Sequence, residues 1–93
     1  MARLGLTWRP EAREQLDGLV GYIAERDEAA AARLLRDIEE AAERASAFPS
    51  AHRTGRVPGT RELVVRTNYL LVYRVTATAV DVVAVLHARQ RYP

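Results

Sequence analysis

Three apolar runs occupy the C-terminal third of this 93-residue chain, and only short breaks separate them. They cover residues 59–65, 69–75 and 82–87 and are rich in Val, Leu and Tyr. Short apolar runs bounded by turn-forming residues are typical of strands. Thr67-Asn68 and Ala77-Thr78 can form the two turns, so the sequence predicts a meander of three antiparallel strands.

The N-terminal half predicts one strand followed by two helices. The apolar residues Leu4, Leu6 and Trp8 alternate with arginine, glycine and threonine, which indicates a short strand with one buried face. Pro10 suits the first position of a helix because its missing N–H would be unpaired there, and Asp27 can cap a second helix that ends before Pro49. Both helices carry an apolar stripe: Ala12, Leu16, Leu19, Val20 and Ile23 on the first, and Ala31, Leu34, Leu35, Ile38, Ala41, Ala42 and Ala45, running toward Phe48, on the second.

The predicted fold class is α+β, with the element order β-α-α-β-β-β in a single domain over residues 1–93. The alanines of the second helix are small enough to let the two helices pack closely as an antiparallel hairpin. A sheet covered by this hairpin on one face and partly open on the other buries every apolar stripe. Residues 49–60 hold two Pro and two Gly and are expected to form an ordered loop.

The composition excludes several classes of protein. The chain has no Cys and two His, so disulfides, thiolate metal sites and a zinc site are not expected, and no glycine-rich phosphate loop is present. Neither Ser46 nor Ser50 lies in a Gly-x-Ser-x-Gly turn. We therefore expect neither a metal nor a cofactor. No apolar stretch approaches the roughly 20 residues of a membrane span, and the sequence predicts a soluble cytoplasmic protein with no membrane partner.

The charges are unevenly distributed along the chain. Residues 47–93 hold seven Arg against Glu62 and Asp81, a net +5, whereas residues 1–46 hold seven Arg against ten acidic residues, a net −3. The C-terminal half is therefore expected to attract anions. The same arginines can also be explained without a binding partner, as a solvated face of the sheet or, for Arg61, as a surface ion pair with Glu62. The candidate residues for binding a target or a partner are Arg56, Arg61, Arg66, Arg74, Arg89 and Arg91.

Short motifs follow one another in a fixed order along nearly the whole chain: Trp8-Arg9-Pro10-Glu11-Ala12, Tyr22-Ile23-Ala24, Phe48-Pro49, residues 55–63 (GRVPGTREL), Leu71-Val72-Tyr73-Arg74-Val75 and Val85-Leu86-His87. This ordered set resembles the RelE/ParE toxins of bacterial type II toxin–antitoxin modules. The resemblance implies a small toxin that a cognate antitoxin neutralises by wrapping over the helices and the sheet.

The family is divided by mechanism, and one position separates the two branches. RelE-like members cut messenger RNA in the ribosome and carry a basic residue at the place that here is Leu70, where it stabilises charge on the scissile phosphate. An isobutyl group supplies none of that stabilisation. The ParE-like branch, which poisons DNA gyrase, usually has an apolar residue there. The resemblance therefore favours a gyrase poison that acts by binding rather than as an enzyme.

The alternatives stay open at this point. A ribosome-dependent endoribonuclease acting on ribosome-bound messenger RNA would have to use His87, Arg89 and Tyr92, with His87 as the general acid or base. A strand-end histidine hydrogen-bonded to the backbone, and a terminal aromatic that covers the core edge, account for the same residues without catalysis. A non-catalytic RNA-binding module is a further alternative, although the strands lack the pattern of exposed aromatic residues that an RNA-recognition sheet requires.

Overall fold

The computed structural model describes residues 4–90 and 92, and it places two helices against one face of a sheet. The elements follow the predicted order except for one additional short strand. They are β1 (Gly5–Trp8), α1 (Pro10–Ala24), α2 (Glu28–Ala47), β2 (Arg53–Thr54), β3 (Thr60–Val65), β4 (Tyr69–Val75) and β5 (Ala79–His87).

The helix boundaries follow from local chemistry. Pro10 is the first residue of α1, as expected of a residue that has no N–H to leave unpaired. Asp27 caps α2, and its Oδ1 accepts a hydrogen bond of 3.0 Å from the backbone N–H of Ala30. The stripe of α2 is buried except for Leu35, which is half-buried. Phe48 does not continue that stripe, because it lies past the helix end and is 65% exposed.

The sheet corrects the predicted topology in two respects. It is a five-stranded mixed sheet with the strand order β1-β5-β4-β3-β2, in which β3, β4 and β5 form the predicted antiparallel meander. β1 joins it by parallel pairing with β5, with Leu6 opposite Val80 and Trp8 opposite Val82. β2 is a two-residue edge strand within the predicted loop, with Arg53 opposite Glu62. The reason for both additions is that the polar backbone of an extended segment gains hydrogen bonds when it lies against a free sheet edge.

A bulge in β5 decides which residues face the helices. Val72 pairs with Ala84, whereas the next residue, Tyr73, pairs with Val82, so Val83 is an extra residue in β5. Val82 and Val85 therefore both pack in the main core beneath the helices. Ala84 lies on the other side, which we call the open face.

The open face has a small apolar cluster of its own. Val72, Ala84 and Leu86 are buried there, with Val83 and Tyr92 packed against them. This cluster shows that residues near the C-terminus cover part of the face that the helices leave free. Neither described helix has the length and hydrophobicity needed to cross a membrane.

Candidate functional site

The basic half of the chain is partly neutralised by a buried carboxylate. Glu62 on β3 is 3% exposed, and its Oε1 lies 3.2 Å from Arg53 Nη2. Its Oε2 accepts a hydrogen bond of 3.1 Å from the backbone N–H of Arg56 and lies 3.9 Å from Arg56 Nε. Arg61 is adjacent in sequence but points to the opposite side of the strand, so the ion pair between Arg61 and Glu62 does not form.

The four arginines from β3, β4 and their loops do not form one patch. Arg56 donates to the backbone oxygen of Tyr92 at 3.1 Å, in addition to its contact with Glu62. Arg66 forms an ion pair with Asp37 of α2, with Nη2 2.7 Å from Oδ2. By contrast, Arg61 and Arg74 have no carboxylate partner among the described residues: Arg61 Nη1 donates to His52 O at 2.7 Å, and Arg74 Nη1 donates to Pro58 O at 3.4 Å. Arg91 lies outside the described residues.

The three residues that a nuclease would need are not brought together. The ring of His87 contacts Tyr69 edge-on, with ring centroids 5.4 Å apart, and Tyr69 packs against the helix-side core. His87 Nδ1 accepts a hydrogen bond of 3.1 Å from the backbone N–H of the exposed Arg89. Tyr92 packs on the open face instead. His87 and Tyr92 are therefore on opposite sides of the sheet, and His87 has the backbone hydrogen bond expected of a structural histidine.

Leu70 lies in an apolar row across the open face. Its Cα pairs with Val64 of β3 on one side and with Leu86 of β5 on the other. Leu70 is 4% exposed and Val64 is 45% exposed. The surroundings of Leu70 are therefore those of a small aliphatic surface and not of a site that stabilises a phosphate.

His52 is a candidate residue that the sequence pattern did not reveal. Tyr73 is fully buried, and its hydroxyl donates to Pro49 O at 2.8 Å. Because the phenol has one proton, His52 Nδ1, 3.2 Å from the Tyr73 hydroxyl, must be the donor in that contact. Burial lowers the pKa of His52, and the nearby charges of Arg44 and Arg61 lower it further. The one sequence signal for this contact is Tyr73 in an apolar run, because the hydroxyl of a buried tyrosine needs polar partners. No local sequence pattern identifies His52 as one of those partners.

An open cleft of about 380 Å³ lies at the start of β3. Among the described residues that line it, Arg61 alone is charged, and none is acidic. Gly55 is required at its base, because a Cβ there would lie 2.1 Å from Thr60 Oγ1. We call this the Arg61 cleft, and it is lined by Thr54, Gly55, Pro58, Gly59, Thr60, Arg61 and Val75.

Comparison with known proteins assigns the chain to a family. The family model described as the ParE toxin of the type II toxin–antitoxin system parDE matches residues 6–92. This chain belongs to the ParE toxin family. The toxin "Putative toxin Y4kP" of Sinorhizobium fredii is 35% identical over 94 residues, which covers 100% of this chain and 97% of that protein.

Solved structures agree with the ParE family assignment at the level of the fold. A chain from the chromosomal ParDE toxin–antitoxin system of P. aeruginosa superposes with a TM-score of 0.82 at 20% identity, covering 91% of this chain and 96% of that one. A chain from the RelBE2 toxin–antitoxin complex of Mycobacterium tuberculosis has a TM-score of 0.71 at 24% identity, covering 97% of each chain. Structures of both branches therefore share this fold.

Proposed function

We propose that this ParE-family chain is held inactive by a cognate antitoxin and that, when free, it acts in the cytoplasm by binding DNA gyrase. Membership of a toxin family of type II toxin–antitoxin systems supports the first part. The similar structures from the ParDE system and the RelBE2 complex are both described as parts of toxin–antitoxin systems. An antitoxin partner follows from these similarities.

The apolar row at Leu70 carries the preference for binding over RNA cleavage. A nuclease stabilises the charge that develops on the scissile phosphate with preorganised cations or hydrogen-bond donors. Here the corresponding position is a buried leucine between Val64 and Leu86. The separation of His87 from Tyr92 also removes the convergent geometry that general acid–base catalysis requires. Both observations support a toxin that acts by occupying a surface of its target.

The ribosome-dependent endoribonuclease remains the second candidate because of His52. A neutral imidazole whose Nδ1 is held by Tyr73, close to Arg44 and Arg61, has the residue types of a phosphodiester-cleaving site. The RNA-binding module is less well supported. On the open face the strands present Val64, Leu70, Val72 and Leu86, whose aliphatic side chains cannot stack on bases as aromatic rings do, and the Tyr92 ring packed there comes from beyond the last strand.

The proposal is tested by inducing the chain with and without the product of the adjacent reading frame. We expect growth to stop only when the toxin is induced alone, with DNA damage and filamentation while bulk translation continues. Purified protein should inhibit DNA supercoiling by gyrase. His87→Ala should retain this inhibition, because the side chain is not catalytic in this proposal.

Two results would contradict the proposed function. Normal growth after induction alone would argue against a toxin of any kind. Rapid translational arrest with messenger RNA cut at ribosomal A-site codons would instead identify the nuclease. In that case a reduction in cleavage of about 10²- to 10⁴-fold in either His87→Ala or His52→Ala would identify the acid–base residue.

A further inference from the structure

The Arg61 cleft has a positive charge that no described carboxylate neutralises. Glu62 is the nearest acidic residue in sequence, but it lies on the other side of β3 with Arg53 and Arg56. Arg74 adds a second cation behind the cleft wall, since its Nη1 bonds to Pro58 O at 3.4 Å. The cleft is therefore a place where an anionic group gains favourable interactions without displacing an internal ion pair.

The guanidinium of Arg61 is oriented before any ligand arrives. Its Nη1 donates to His52 O at 2.7 Å, which uses one of the five N–H donors of the side chain. A donor held in this way loses little conformational entropy when it binds, and its planar fork matches the two oxygens of a carboxylate.

The lining favours a carboxylate on a peptide over a phosphate group. A phosphate site normally gathers several cations or free backbone N–H groups. Here the N–H groups of Gly55 and Thr60 are already donated, to Thr60 O at 2.7 Å and to Val57 O at 3.1 Å. Pro58 and Val75 also line the cleft, and Val75 is 44% exposed. With Arg61 as the one cation among the described lining residues and Arg74 behind the wall, this aliphatic surface suits an acidic side chain with an aliphatic neighbour.

We propose that the Arg61 cleft binds an acidic residue of the antitoxin, with an adjacent aliphatic side chain of the same segment on Val75. The inference rests on the proposed function, because the antitoxin is the partner that the family membership implies. It adds to that function one specific anchor among the arginines of the basic half.

The cleft is tested by NMR titration of ¹⁵N-labelled protein made by cell-free synthesis. The probes are the capped peptide acetyl-Leu-Asp-Glu-Leu-amide, its uncharged analogue acetyl-Leu-Asn-Gln-Leu-amide, and inorganic phosphate. We expect the acidic peptide alone to shift the amide signals of Thr54, Gly55 and Gly59. Arg61→Gln should weaken its binding about tenfold, as expected when a charge-assisted hydrogen bond is lost.

Two further variants separate a specific contact from a general charge effect. Arg33→Gln makes the same charge change at an exposed site on α2 and should leave peptide binding unchanged. Val75→Glu keeps the hydrogen bond from Arg61 to His52 but places a competing carboxylate in the cleft, and it should abolish binding. Any of four results would overturn the proposal: equal shifts from both peptides, no shift at the cleft, tighter binding of phosphate than of the acidic peptide, or equal effects of Arg33→Gln and Arg61→Gln.

The source of the acidic segment is tested with two sets of overlapping peptides. One set covers the product of the adjacent reading frame and the other covers the gyrase subunits. We expect a peptide from the first set to shift the cleft amides and to bind more weakly once its acidic residue becomes an amide. Binding by the gyrase set alone would overturn the assignment to the antitoxin. The titration does not depend on toxicity, so a failure of the gyrase proposal is distinguishable from a failure of this one.

Discussion

At the scale of single residues, the His52–Tyr73 pair links the loop before β2 to the core. The pair is held by the contact from His52 Nδ1 to the Tyr73 hydroxyl at 3.2 Å and by the bond from that hydroxyl to Pro49 O at 2.8 Å. Burial lowers the pKa of His52 because the protonated ring loses its hydration. Arg44 and Arg61 lower this pKa further, because protonation would place a third cation beside them.

The lowered pKa of His52 predicts a pH dependence of folding. The unfolded chain, with an ordinary value of 6.5, takes up the proton more readily than the folded chain. The contribution of neutral His52 to the free energy of unfolding is therefore fully present above about pH 6.5. It is lost as the pH falls through the lower pKa that His52 has in the folded chain. We expect wild type to lose more free energy of unfolding than His52→Gln between about pH 7.5 and pH 5. Chemical denaturation at several pH values measures this, and parallel curves for both proteins would contradict it.

At the scale of elements, two glycines of the chain have opposite requirements. Gly18 lies in the middle of α1, and a Cβ added there would have no atom within 4 Å. Gly55 lies in the loop between β2 and β3, where a Cβ would lie 2.1 Å from Thr60 Oγ1 and 3.3 Å from the backbone carbon of the same residue. A backbone carbon cannot move aside as the end of a flexible side chain can.

This contrast predicts effects of opposite sign for the same substitution. Gly18→Ala should raise the free energy of unfolding by about 0.5 to 1 kcal/mol, because alanine loses less backbone entropy in a helix. Gly55→Ala should lower it by about 1 to 3 kcal/mol through overpacking. Thermal or chemical denaturation of the two variants measures both effects. Destabilisation of similar size in both would show that Gly18 has a packing role within the free chain.

At the scale of the whole molecule, the charge asymmetry of the sequence becomes two clefts of different character. The Arg61 cleft has no acidic lining residue among those described. A cleft of about 350 Å³ between β1 and α2 is lined by three acidic residues and one basic residue beside Leu6 and Trp8: Glu39, Glu40, Glu43 and Arg36. Arg66 contributes little to the positive end because Asp37 neutralises it. Long-range attraction of an acidic partner therefore depends mainly on the arginines without such a partner.

Association with the antitoxin should reflect this distribution. Charge reversal at Arg61 or Arg74 should slow association and reduce its dependence on salt, because no described carboxylate offsets the positive charge of these two side chains. Arg56→Glu and Arg66→Glu should slow association as well, because each makes the same change in net charge and uncovers a carboxylate, Glu62 or Asp37, that the arginine had offset. Stopped-flow association rates at several salt concentrations provide the measurement, with Arg33→Glu as the control. If the rates are unchanged in all four variants, the basic half does not contact the antitoxin.

The sequence by itself determined both helices and every strand except the two-residue β2, because their signals are local. Pro10 and Asp27 mark the helix starts through backbone groups within one turn, and the apolar stripes predict which helix faces are buried. The three-stranded meander also follows from neighbouring runs and their turns. The resemblance to a toxin family was likewise carried by short motifs in order along the chain.

Only the tertiary structure decided the pairings between distant residues. Three features depend on which segments meet in space. They are the parallel pairing of β1 with β5, the extra residue Val83 in β5, and the pairing of Glu62 with Arg53 and Arg56. The contact of His52 with Tyr73 is of the same kind. The physical reason is that a hydrogen bond or ion pair across many residues gains its free energy only after the chain has packed, so no local period or turn signal encodes it.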